Sequence, residues 1–262
     1  MQRVEALSDW VLGLARWHLW TALAWNDVRR RYRRSSIGQF WLTLSMGITV
    51  AGLGTVYSLL FHVPVTEFIP YVAVCFVVWG FISNTILESC TAFVDNEAIM
   101  KYTYTPRSTF IFRLLYRNAI IFAHNVLIVP LVFLFFKVAL SWNMLWFVPG
   151  ALLVLLNCFC VGLVLAIICA RYRDLPQIVA SVMQIVFFVT PVMFRPSQLP
   201  AWSGPIVRLN PFANLLEVVR DPMLGQMPSA WAFGYCAISL AIAGLIASYF
   251  TRNYGSRVVY WL

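Results

Sequence analysis

The sequence predicts an all-α membrane protein with six transmembrane helices. It also predicts an amphipathic interface helix at the N-terminal end and short re-entrant helices in the extracytoplasmic loop between spans five and six. Three observations carry this: composition, recurring charge-free windows, and the placement of arginine. Of 262 residues, 61% are hydrophobic and 11% charged, with a mean hydropathy of +0.78. A soluble domain carries roughly a quarter of its residues charged. A net charge of +9 would suggest nucleic acid in a soluble protein, but in a membrane protein it reflects arginines facing an anionic leaflet, so no nucleic-acid partner is expected.

A hydrocarbon core of about 30 Å needs roughly 20 apolar residues of helix. Windows of that kind place spans at 36–61, 68–88, 115–136, 146–170, 175–194 and 229–251. Arg3, Glu5, Asp9 and Arg16 interrupt any leader-like apolar core, so no cleavable signal is expected. With the N-terminus inside, Arg and Lys fall overwhelmingly on cytoplasmic segments; only Lys137, Arg195, Arg208 and Arg220 lie outside. That bias predicts cytoplasmic termini.

Before the first span, Leu7, Trp10, Val11 and Leu14 recur at helical spacing with further tryptophans nearby. This reads as a helix lying in the interface, within a cytoplasmic region 1–34. The proline-punctuated region 195–228 contains Asn210-Pro211, a cap followed by proline at the first helical position. Phe212, Leu215, Leu216 and Val219 then share one face, and Gly225 is a stop signal. A helix that short does not span; it dips into the outer leaflet or covers a pore mouth.

Chemistry is sparse. The six cysteines lie in apolar runs and read as small fillers. There is no glycine-lysine phosphate loop and no zinc motif, and Asp95 with Glu97 is a weak carboxylate pair. No catalytic residue, metal site or bound cofactor is expected. The strongest local signal is the cluster Arg29-Arg30-Arg31-Tyr32-Arg33-Arg34 before the first span. Arg30, Arg31, Arg33 and Arg34 either anchor the chain to anionic lipid or bind a phosphate-bearing headgroup through guanidinium forks.

Several segments, in this order, resemble the membrane subunits of ABC-2-type polysaccharide exporters, the permeases for O-antigen and related glycans. They are Asp27 to Ser35 with Gly38 and Trp41, Asn96-Glu97, Arg117-Asn118, His124-Asn125, Ala170 to Asp174, Thr190-Pro191, Asn210-Pro211, Val219-Arg220 and the final Val259-Tyr260-Trp261-Leu262. The resemblance covers nearly the whole chain. It implies a homodimer in the bacterial inner membrane, paired with two copies of a cytoplasmic ABC ATPase that uses ATP and Mg²⁺. It implies a coupling segment within 95–108, with Glu97, Ile99, Met100 and Tyr102 seated on the ATPase. It further implies an outer gate formed by Pro211, Phe212, Leu215, Leu216 and Arg220, and a glycan on an undecaprenyl pyrophosphate carrier as cargo, with membrane lipids around. Capsule polysaccharide, teichoic acid and a small lipid or drug are alternative cargoes for the same fold. A membrane-embedded polyprenol-sugar enzyme is the alternative of another class.

Overall fold

The structure is a computed structural model that describes residues 6–32, 40–198 and 200–262, with helix and no strand among them. Two short helices come first, α1 (Ala6–Ala15) and α2 (Trp17–Tyr32), then α3 (Phe40–Leu60) and α4 (Val65–Ser89). A 3₁₀ turn leads to α5 (Glu97–Tyr102), followed by α6 (Ser108–Val126), α7 (Ile128–Phe136), α8 (Phe147–Arg171) and α9 (Leu175–Val189). The last group is α10 (Gly204–Leu209), α11 (Pro211–Met223), α12 (Ala230–Tyr254) and α13 (Val258–Trp261).

Five helical stretches among the described residues are long and apolar enough to cross a bilayer: Phe40–Leu60, Val65–Ser89, Ser108–Phe136, Trp142–Arg171 and Ala230–Trp261. The window expected to hold a fifth of six spans contains α9, only 15 residues long. At 1.5 Å per residue that is about 22 Å, short of the hydrocarbon thickness. By length and composition, five candidate spans are therefore found among the described residues, and α9 falls short of that length.

Helix α4 is the central element. Phe68, Val72, Val74, Cys75 and Ile82 on it are buried, and it packs against α3, α6, α7, α8, α9 and α11. The outer helices leave apolar side chains such as Ile48, Leu131 and Ile242 exposed, as lipid solvation permits. Between such helices the driving force is close packing and hydrogen bonding rather than water exclusion.

The single interface helix expected near residue 10 is two helices, broken at Arg16, whose guanidinium donates to the Tyr104 carbonyl at 3.1 Å. The helix occupying the third window begins at Ser108, earlier than the window suggests, and its N-cap Arg107 offers no side-chain acceptor. Asp9 supplies the cap from across the chain. Its carboxylate accepts the Arg107 and Ser108 N–H groups, each at 3.0 Å, and its carbonyl accepts the Ser108 hydroxyl at 2.7 Å. A buried carboxylate at a helix N-terminus satisfies orphan donors and faces the positive end of the dipole. A Cβ at Gly13 would collide with Ser108, so glycine permits this close docking of α1.

Candidate functional site

Two polar clusters interrupt the apolar bundle. The first lies at the predicted cytoplasmic end and joins α2, α4, the turn Val94–Asn96 and α6. Arg113 donates from Nε and Nη2 to both oxygens of Asp27, at 2.8 and 2.7 Å, and from Nη1 to Asn96 Oδ1. One helical turn on, Arg117 donates to Glu88 at 2.9 Å and approaches Asp27 at 3.7 Å. Asn96 also holds the Ala92 carbonyl at 2.7 Å, and buried Asn118 reaches Thr85 Oγ1 at 3.3 Å. Two arginines are thus matched by two carboxylates in a half-buried setting. The bidentate geometry makes Arg113 a rigid tie between α2 and the turn before α5. Arg113 is taken up by these partners through all three nitrogens, whereas Arg117 keeps a buried Nε without one.

Helix α5 hangs from this tie. Met100 is buried and Ile99 packs on the core, whereas Tyr102 is 91% exposed and Tyr104 80% exposed. Lys101 bonds Glu97 at 2.6 Å within the helix and holds that carboxyl below its ordinary range. Of the four residues expected to seat on a partner, Met100 and Ile99 therefore anchor the segment to its own chain, and Tyr102 presents itself outward. In the arginine cluster, Arg29 and Arg30 are exposed on α2, with no carboxylate partner among the described residues. Arg33 and Arg34 lie outside the described residues, as does the side chain of Arg31.

The second cluster centres on α11. Asn210 caps this helix by accepting the Phe212 and Ala213 N–H groups at 2.9 and 3.4 Å, and its amide donates to Thr190 at the end of α9. At the other end, Gly225 has φ +76°. The Gly225 and Gln226 N–H groups return to the carbonyls of Pro222 and Asp221, both at 2.8 Å, a Schellman closure that favours glycine. Leu215 and Leu216 are buried along with Ala213, Val218 and Val219, so α11 is a packed element rather than a loosely draped loop. Phe212 packs on Trp79 of α4 with ring centroids 6.0 Å apart.

Arg220 is 6% exposed. Its Nε donates to Asp221 at 2.7 Å, its Nη1 donates to the Tyr71 hydroxyl at 3.1 Å, and its guanidinium lies 5.3 Å from the Tyr71 ring centre. The Tyr71 hydroxyl sits 2.9 Å from the carbonyls of both Pro191 and Phe194. Arg195, paired with Glu67, lies 5.4 Å from the same ring. One tyrosine of α4 thus fastens α11 to the segment after α9. Burial pushes the Asp221 carboxyl up, while the Arg220 guanidinium opposes that rise.

Neither cluster contains a nucleophile paired with a base, and among the described residues no group of three His, Cys, Asp or Glu side chains gathers to hold a metal. Their chemistry is mechanical: two ties, at opposite ends of the bundle, each fastening a short helix to α4 or α6. A model of the ABC-2 type transporter family matches residues 18–224 of the chain, a region that includes both. The chain belongs to this family. It is accordingly a transporter membrane subunit, a multi-pass protein of the bacterial inner membrane. It is similar to an O-antigen export system permease protein, RfbA, of Klebsiella pneumoniae, with 23% identity over 75% of this chain and 76% of the relative. An RfbA of the same description from Myxococcus xanthus is 24% identical over 82% of this chain and 79% of its own length.

In the sequence, Arg113 reads only as a topology signal, Arg117 as that and as part of a family-like motif, and Asp9 as an interruption of a leader-like core. Their partners lie 86 to 99 residues away or on another helix. The one local hint was that a charge within or beside a span needs a partner.

Proposed function

We propose that this protein is the permease of an ATP-driven exporter that carries a polysaccharide, linked to undecaprenyl pyrophosphate, outward across the inner membrane. Two copies form the pathway, each with six spans once the short α9 is counted and with both termini inside. Two cytoplasmic ATPase subunits hold the ATP and Mg²⁺. The observation that carries the ATP-driven reading is α5, pinned to its own chain by Met100 and by Asn96–Arg113 while offering Tyr102 outward. The names of the relatives support the polysaccharide cargo. An α9 that buries only Met183 supports a second copy beside it.

The direct experiment deletes the gene and analyses the cells for a lipid-linked glycan retained inside. Reconstitution with the ATPase subunit in proteoliposomes then restores movement of that glycan. A deletion strain with no retained glycan and altered drug sensitivity would redirect the cargo to a small molecule.

Tyr102→Ala should uncouple hydrolysis from export at least tenfold, because an exposed aromatic anchor is lost from a small interface. Thermal stability should change by no more than about 0.5 kcal/mol, since the side chain is exposed. Unchanged coupling would move the docking point off α5.

Replacing Arg30, Arg31, Arg33 and Arg34 together by lysine separates the two readings of the cluster. Lysine preserves topology, but it loses the planar fork that suits a pyrophosphate. Export and substrate-stimulated ATP hydrolysis should fall while reporter fusions still place both termini inside. Full activity would leave the cluster as an orientation signal.

A further inference from the structure

Between α7, the 3₁₀ turn Trp142–Trp146 and the end of α11 lies an apolar cleft of about 640 Å³, walled by Val129, Pro130, Phe133, Met144, Phe147 and Met223. A single charged residue joins this lining, Lys137. It closes α7 in the left-handed conformation, φ +55°, with the Val138 N–H returning to the Phe133 carbonyl at 3.0 Å. The ammonium has no hydrogen bond or ion pair among the described residues. Arg195 and Arg220, by contrast, have Glu67 and Asp221. Leu134 and Leu140 of the lining stand exposed, a surface suited to acyl chains. Trp142, 87% exposed, marks the headgroup level beside it. An occupant must therefore combine a hydrocarbon chain with an anionic head next to Lys137.

We propose that this cleft is a binding site for a membrane phospholipid, with one acyl chain along α7 and the phosphate on Lys137. On the orientation proposed above, the lipid belongs to the outer leaflet; the site itself does not depend on the cargo. Met223 ends α11, and Asn143 donates to the Gly225 carbonyl at 3.0 Å. The bound chain consequently buttresses the seat of α11 from the lipid side.

Native mass spectrometry of the purified full-length protein tests this with two probes that share acyl chains, palmitoyl-oleoyl phosphatidylglycerol and palmitoyl-oleoyl glycerol. The wild type should retain the phosphatidylglycerol preferentially. Lys137→Met should weaken that retention about fivefold, the contribution of one cation at a phosphate-bearing surface, and leave the phosphate-free lipid unchanged. Leu134→Trp, at an exposed position on the cleft rim, should weaken both. Equal retention of the two lipids by the wild type would overturn the proposal, as would an undiminished preference in Lys137→Met or unchanged binding in Leu134→Trp. Undecaprenyl phosphate displacing phosphatidylglycerol at equal concentration would reassign the cleft to the carrier lipid. A disulfide-linked dimer formed through Lys137→Cys would show that a second copy covers it instead.

Discussion

Gly150→Val is expected to unseat α11 and abolish export. Pro222 lies within α11 and has no N–H, so the Val218 carbonyl one turn earlier lacks its usual helical partner. That carbonyl faces Gly150 of α8, where any Cβ would overlap the Val218 backbone. Backbone cannot move aside as a flexible side chain can, so the two helices must separate. Overpacking of this kind costs about 3 kcal/mol, and it acts where Arg220, Tyr71 and the Asn210 cap depend on the position of α11. Thermal unfolding of the purified protein should show the loss, and protease access to the 191–228 region should rise. Gly234→Val on α12 is the control, because open space surrounds that position. Equal behaviour of the two variants would mean that the α8–α11 approach is not required.

Arg113→Ala should insert normally yet fail in export. The substitution removes both bonds to Asp27 and the bond to Asn96. It leaves a carboxylate whose side chain is 17% exposed facing only Arg117 at 3.7 Å. Stranding that charge costs about 2–3 kcal/mol, and the turn that carries α5 is no longer tied to α2 and α6. Hydrolysis by the partner ATPase should persist while export in proteoliposomes is lost. Arg113→Lys keeps the charge without the fork and should fall between the two. A double-mutant cycle with Asp27→Ala should return a coupling energy of about 1.5–3 kcal/mol. Normal export by Arg113→Ala would reduce the tie to a bystander.

The class of protein was legible in the sequence because lipid imposes it directly. Long charge-free windows must become helices when no water is present to satisfy the backbone, and a bias of arginine is a property of composition and order. The termini of α11 were legible for a similar reason. The Asn210 cap and the Gly225 closure each act over a few residues, so the chain states them locally. The order of short motifs from Asp27 to Leu262 likewise pointed to the family that the comparison then matched.

Tertiary structure decided what depends on distant neighbours. The apolar pattern of α11 did not reveal that Leu216 and Val218 are buried against α4, α8 and α12, because an amphipathic helix looks the same in a leaflet and in a protein core. Met100 and Tyr102 are two positions apart on one helical turn; only the packing of α5 turns one inward and the other out. Asp9 reads as a stray charge until α1 docks on α6, and Arg113 as a topology signal until Asp27 and Asn96 meet it. In a bundle where lipid already solvates the apolar faces, such rare polar contacts and close glycine approaches select the arrangement, and their partners lie far apart in the chain.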